Sequence, residues 1–225
     1  MKRSVLFDTE TTGLDPATGD RVIEIAAIEL IDDLPTGEVY HTLVDPERDV
    51  PPESSRVHGF TREDLVGKPK FGEIAQGFLD FIGEDELIAH NAPFDFGFVN
   101  AELALCKKPP LDRQRMVDTL IIAKKRFPGL PNNLDALCRR YNIDLSERTT
   151  HNALLDCRLL AEVYVELMGG RQRGLGLTVT TGGGRVVKYE RNRHRQARLI
   201  PPPDAATEDA HRAFIARMKN PLWKR

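Results

Sequence analysis

The chain has 225 residues and a mass of 25.3 kDa, with 40% hydrophobic and 29% charged residues and a formal net charge of −2. These proportions suit a soluble globular protein, either one domain with an appendage or two small domains. No apolar run reaches membrane-spanning length, Met1-Lys2-Arg3 leads into a strand rather than a signal segment, and the three widely spaced cysteines (Cys106, Cys138, Cys157) fit neither a disulfide framework nor a zinc site, so a reducing cytoplasm is expected.

Residues 4–8, 21–31 and 38–44 are rich in Val, Ile and Leu and read as strands. The segments 15–20 and 32–37 between them carry turn chemistry and are too short for a crossover helix, which predicts an antiparallel meander. Thr61 caps a short helix. Phe71, Ile74, Ala75, Phe78, Leu79 and Ile82 recur at helical spacing. A short strand over 86–90 precedes a helix over 93–107 with Pro93 in its first turn. A brief strand near 115–118 follows, then helices over about 118–127, 133–141 and 152–168. This order predicts an α/β fold with a mixed central sheet flanked by helices.

Gly169-Gly170 stops the last strong helix and bounds a domain over 1–170. Seven of the 17 glycines lie in 169–184, and an arginine-rich stretch and Pro201-Pro202-Pro203 follow, so 171–206 reads as a flexible linker. Thr207 is expected to cap one last helix, to about Asn220, within a tail over 207–225. Its stripe of Ala210, Phe214, Met218, Leu222 and Trp223 needs something to pack against. Residues 171–225 hold 13 Lys+Arg against 4 Asp+Glu, which leaves 19 against 30 in 1–170. Opposite signs suit a globular domain and a separate tail. An acidic domain handles nucleic acid only where metal ions offset its field.

Asp8 and Glu10 end the first strand two residues apart, so both side chains point to one face. Two buried carboxylates repel each other and lose solvation, and a shared hard divalent cation would relieve both costs. His90-Asn91-Ala92-Pro93-Phe94-Asp95 puts Asp95 in the first turn after a strand. His151-Asn152-Ala153-Leu154-Leu155-Asp156 puts Asp156 one turn into the last helix of the domain. Residues five apart on a helix lie about 140° apart around its axis. His151 can therefore meet Asp156 only from a loop before the helix. Four carboxylates and a histidine form a machine for phosphodiester cleavage. Asp8 would bridge two ions, Glu10 and Asp156 would complete one site, and Asp95 would hold the second ion. His151 would take the proton from the attacking water. Oxygen ligands without cysteine favour Mg²⁺ or Mn²⁺ over zinc.

The segments Phe7-Asp8-Thr9-Glu10-Thr11-Thr12-Gly13, His90 to Asp95 and His151-x4-Asp156 resemble the three motifs of the DEDDh exonucleases. Val57-His58-Gly59, Asn133-Leu134-Asp135-Ala136-Leu137-Cys138 and Leu160-Ala161-Glu162-Val163-Tyr164 strengthen the likeness, which covers 4–170. The resemblance implies an RNase H-like fold and 3′→5′ removal of nucleotides from DNA, as in proofreading. It also implies that Asp8, Glu10, Asp95 and Asp156 ligate metal, that His151 is the general base, and that His58 and Glu53 contact the terminal nucleotide. Asn152 stands where the tyrosine-based subtype has its tyrosine, which excludes that subtype.

Backbone amides around Thr9, Thr12, Gly13 and Leu14 are expected to meet the terminal sugar and phosphate, with Leu14 against a base. Turn chemistry alone would also explain Gly13. Phe94 lines the same groove or belongs to the core, and Asn91 bonds near the site or caps the next helix. In the tail, Gln172, Leu175 and Leu177 resemble a sliding-clamp-binding peptide, against a plain glycine-rich linker. Phe214, Met218, Leu222 and Trp223 resemble a polymerase-binding tail, against a frayed terminus. A small accessory subunit is a further implied partner. The rival functions are an RNA-trimming exonuclease of the same superfamily and a tether between polymerase and clamp.

Overall fold

The computed structural model describes residues 1–148, 150–170 and 203–218. Two compact units divide the chain, Met1–Gly176 and Leu177–Arg225. The first is built on a five-stranded sheet in the order β3-β2-β1-β4-β5. Strands β1 (Arg3–Thr11), β2 (Val22–Ile31) and β3 (Leu34–Leu43) pair antiparallel with one another in chain order, as the meander requires. Strands β4 (Glu86–Ala89) and β5 (Met116–Asp118) are added parallel to β1, with Leu6 beside Ile88 and Ile88 beside Val117. The sheet is therefore mixed and flanked by helices, as the order of elements in the sequence predicts.

Both faces of the sheet are covered, which is why β2 reads almost without polar interruption. Val5 and Phe7 pack with helices α3 (Phe71–Ile82) and α4 (Ala92–Leu105) on one side. Leu6, Ala26 and Ile88 pack with α5 (Thr119–Arg126), α6 (Leu134–Tyr141) and α7 (Ala153–Leu167) on the other. Strand alternation assigns Asp8 and Glu10 to the same side as Leu6, the side that carries α7. The register of β1 against β2 shifts between Glu10 and Thr11, so the bulge sits beside the second carboxylate.

Two local features differ from the sequence expectation. The turn expected over 32–37 closes within Asp32-Asp33, whose φ values are 50° and 69°, so β3 starts at Leu34. Aspartate tolerates that left-handed geometry, and a two-residue hairpin turn needs it. Pro35 is accommodated because β3 is an edge strand. A helix not expected from the sequence, α1 (Pro52–His58), starts at a proline and stops at Gly59, whose φ is 83°. Short α2 (Arg62–Leu65) begins at Thr61 as expected, with the Asp64 carboxylate accepting from both Thr61 N and Oγ1.

In the second unit, α8 spans Ala205–Arg217. Its cap is Asp204, which accepts from Thr207 N at 2.8 Å, rather than Thr207 itself. Two aspartates, Asp204 and Asp209, flank Thr207, and the earlier one has a carboxylate in reach of the open amides. Phe214 is 59% and Met218 37% exposed. Gln172, Leu175, Leu177, Leu222 and Trp223 lie outside the described residues. Among the described residues, no helix is long and apolar enough to cross a membrane.

Phe78 is fully buried between Phe7 and Tyr40, with ring centroids 6.2 and 5.8 Å away. Replacing it with alanine should destabilise the protein by about 3–5 kcal/mol, because the sheet cannot collapse into the space left. Urea denaturation checks this, and a loss below about 1 kcal/mol would place the main core elsewhere.

Candidate active site

The carboxylates meet where the parallel strands β1 and β4 end. Asp8 and Glu10 come from β1, Asp95 from the first turn of α4 just after β4, and Asp156 from the first turn of α7. Crevices at the carboxyl ends of parallel strands are where such sheets bind ligands. Two helix N-termini point their partial positive charge toward the acidic groups of their own first turns.

A cleft of about 310 Å³ is lined by Asp8, Glu10, Asp95, Asp156 and His151, with Thr9, Gly13, Leu14, His58 and Phe94 on its walls. Glu10, His151 and Asp156 each offer a ligand atom within 4.8 Å of the others. Asp95 is 2% exposed and its Oδ1 accepts from Thr9 N at 3.1 Å and Thr9 Oγ1 at 2.8 Å. Burial first, and then the neighbouring carboxylates, push Asp8 well above the usual carboxylate range and Glu10 up to about 8. Burial raises Asp95 to about 7 despite the bonds from Thr9. Asp156 goes the other way: burial works against its charge, but the bonds from Arg148 and His151 outweigh it and lower the value. A cluster that resists ionisation in the absence of a counter-charge fits a divalent cation, and its donors are carboxylate oxygens with one imidazole.

Arg148 is a residue that the motifs do not single out. Its Nε and Nη2 donate to the two oxygens of Asp156 at 2.6 and 2.7 Å, and Nη1 donates to Asp135 at 2.6 Å. Nη2 also lies 3.0 Å from His151 Nδ1. His151 Nδ1 thus sits between that guanidinium and Asp156 Oδ2, which is 3.3 Å away. His151 does stand before α7, its amide bonded to Val57 O at 3.0 Å, with its side chain about half exposed.

Glu24 also escapes the motif pattern. It is fully buried on β2, directly opposite Glu10. Its carboxylate accepts from Asn152 Nδ2 at 2.8 Å and Ala153 N at 3.0 Å, and His41 Nε2 lies 2.7 Å away. Glu24 thus fastens the N-terminus of α7, one turn before Asp156. A lone acid inside Val22-Ile23-Glu24-Ile25-Ala26 was the available clue.

The other expected contacts divide. His58, at the end of α1, is 4% exposed; Nδ1 accepts from Phe60 N at 3.1 Å, and buried Nε2 has no partner. The hydrogen left on Nε2 is therefore unused, in a residue that lines the cleft. Leu14 is 85% exposed at the rim, and Phe94 both lines the cleft and packs against Phe98 in a tilted arrangement, ring centroids 4.9 Å apart. The amides of Thr9 and Thr12 are taken, by Asp95 Oδ1 and Arg21 O, so neither is open to a ligand as the sequence pattern suggests. Thr12 is fully buried and its hydroxyl accepts from Arg21 N. A Cβ at Gly13 would lie 2.1 Å from Asp20 Oδ2, so a larger residue there would displace the Asp20 carboxylate. Glu53 is exposed beside Arg56, 3.5 Å away, and does not line the cleft. Asn91 makes no side-chain cap; it adopts φ 68° and borders an adjoining groove with Lys124, Asn132 and Asn133. Helix α1 also anchors the loop after β1, through Ser54 Oγ to Thr12 O at 2.8 Å.

Comparison with known proteins gives a consistent picture. The model of an exonuclease family, RNase_T, matches residues 5–164. The protein from Rickettsia conorii called DNA polymerase III subunit epsilon is 43% identical over 221 residues, 96% of both chains. The one of that name from Escherichia coli K12 is 45% identical over 178 residues, 76% of this chain and 73% of its own. Among solved structures, exonuclease X in complex with 5′-overhanging duplex DNA matches with a TM-score of 0.59 and 25% identity, over 75% of this chain and 91% of that one. The chain belongs to this exonuclease family, as a DEDDh nuclease close to the proteins called DNA polymerase III subunit epsilon.

Proposed function

We propose that the chain is a proofreading 3′→5′ exonuclease that works as a subunit of a replicative DNA polymerase and hydrolyses the last phosphodiester of a single-stranded or frayed 3′ end. The observation that carries this reading is the convergence of Asp8, Glu10, Asp95, Asp156 and His151 on one cleft, in a chain whose relatives bear the epsilon name. Asp8, Glu10, Asp95 and Asp156 would hold two Mg²⁺ or Mn²⁺ ions. Bound there, such ions supply charge stabilisation to the attacking and leaving oxygens of an in-line displacement.

His151 acts as the base. Its backbone is tethered to Val57 while its ring is half exposed, so the ring can leave Arg148 and turn an unprotonated nitrogen toward water. His58 donates its unused Nε2–H to an acceptor on the terminal nucleotide. Leu14 and Phe94 give apolar surface for the terminal base, and Gly13 lets the backbone approach it. Selectivity for errors needs no sequence readout. A mispaired end unstacks at lower cost than a paired one, and the cleft takes only the unpaired strand.

The domain over 1–170 carries the chemistry, and the tail over 207–225 contacts the polymerase through Phe214, Met218, Leu222 and Trp223. The linker peptide with Gln172, Leu175 and Leu177 contacts the sliding clamp, and a small accessory subunit is a further partner. Free thiols at Cys106, Cys138 and Cys157 suit work in the cytoplasm.

Replacing Asp8 with alanine should slow degradation of 3′-labelled single-stranded DNA on the order of a thousandfold, about 4 kcal/mol of barrier. Undiminished activity would remove Asp8 from the reaction, and faster cutting of RNA than DNA by the native chain would favour RNA trimming. Glu10 and Asp95 hold protons up to about 8 and about 7 when no cation is present, far above their ordinary values. The unfolded chain then binds fewer protons between roughly pH 4 and pH 8, so the ion-free fold loses stability as pH rises through that window. Tm in EDTA should fall from about pH 5 to about pH 8 and recover on adding Mn²⁺ at the higher pH; a flat profile in EDTA contradicts the cluster's mutual repulsion. Deleting residues 171–225 should spare nuclease activity and abolish co-purification with the polymerase. Lost catalysis in that truncation would contradict the division of labour.

A further inference from the structure

Arg148 is 9% exposed and spends every guanidinium nitrogen on the acidic side of the cleft. The fork on Asp156 uses one lone pair on each oxygen and leaves the others open. The same Nη2 meets His151 Nδ1 at 3.0 Å, and His151 Nδ1 is 3.3 Å from Asp156 Oδ2. Two of the three groups that converge as potential ligands, Asp156 and His151, thus rest on one guanidinium. Asp135, in the first turn of α6, holds the far side of that guanidinium. It lines an adjoining cavity of about 280 Å³ together with Asp8, Arg148, His151 and Asp156.

We propose that Arg148 is the positioning residue of the metal site: anchored by Asp135, it fixes the Asp156 carboxylate and parks the His151 ring so that a divalent cation finds a preformed seat. The inference rests on the reading of Asp156 as a ligand. Two effects compete. A guanidinium near a cation repels it, whereas a fixed carboxylate binds it better than a free one. Arg148 lies between two carboxylates whose joint charge of −2 exceeds its own +1, and Asp135 alone balances it, so the repulsion is small and the orientation dominates. Losing an outer partner of a ligating group typically costs about 10- to 100-fold in metal affinity. A lysine in its place keeps the charge but cannot form the fork.

The test is calorimetric titration of the full-length protein with Mn²⁺ alone, without DNA, near neutral pH. Arg148→Gln should raise the Mn²⁺ dissociation constant about 10- to 100-fold while leaving the far-ultraviolet circular dichroism unchanged. Arg148→Lys should recover part of the loss. Asp135→Asn, which releases the anchor without touching a ligand, should weaken binding in the same sense by a smaller factor. Unchanged or tighter Mn²⁺ binding by Arg148→Gln overturns the proposal. Should that variant fail to fold, unchanged binding by Asp135→Asn overturns it instead. A different failure marks the underlying reading: native protein that takes up no Mn²⁺, or an Asp156→Asn variant that binds as the native chain does, removes Asp156 as a ligand and this role with it.

Discussion

The cost of burying carboxylates side by side, loss of solvation first and mutual repulsion second, is the constraint on which the first unit depends. Burial, and then neighbouring carboxylates, push Asp8 and Glu10 above the ordinary carboxylate range, and burial with a smaller push from Asp118 does the same to Asp95. Nothing in the apolar core relieves that cost. The surrounding structure offsets it piecemeal, with Thr9 donating twice to Asp95, two helix N-termini nearby, and Arg148 on Asp156. Only Asp156, the acid with a full cationic partner, is drawn below its usual value. The site is held in readiness for positive charge rather than satisfied in itself.

The architecture around the cluster follows from this. An acidic group is tolerable only on an element that cannot drift, and the four come from three rigid ones, two from β1 and one each from α4 and α7. Glu24 ties β2 to the start of α7, so Asp156 rides on a helix fastened to the strand beside Glu10. Helix α1 ties the loop after β1 to the segment before α7, through Ser54 and Val57, and ends in His58. Asn91 takes a left-handed backbone at the junction of β4 and α4 and so turns the chain toward Asp95. Such strain at a junction is found where geometry matters more than local comfort.

The second unit obeys a different logic. Its helix α8 has an aspartate cap and an apolar side chain, Phe214, left mostly in water. Its sequence is basic where the first unit is acidic. Opposite charge on the two units suits the different tasks proposed for them, with the acidic unit acting on nucleic acid only where cations offset its field.

Much of this was legible in the residues. The meander, the two parallel additions and the helix order follow from apolar periodicity and from connections too short to cross over. Asp8 and Glu10 declared themselves by a spacing of two on an apolar strand, and Asp95 and Asp156 by motifs at element starts. What stayed hidden was decided across long separations. Arg148 looks like one more exposed arginine until Asp135 and Asp156 come from two helices to meet it. Glu24 looks like an interruption of a strand until α7, more than a hundred residues on, lays its open amides over it. The amides of Thr9 and Thr12 seemed free because their acceptors, Asp95 and Arg21, are not local. Local chemistry writes periodicity, caps and turns into the chain. Which charge faces which, and which donor is already spent, is settled only when distant segments pack, because burial and pairing are properties of the assembled interior.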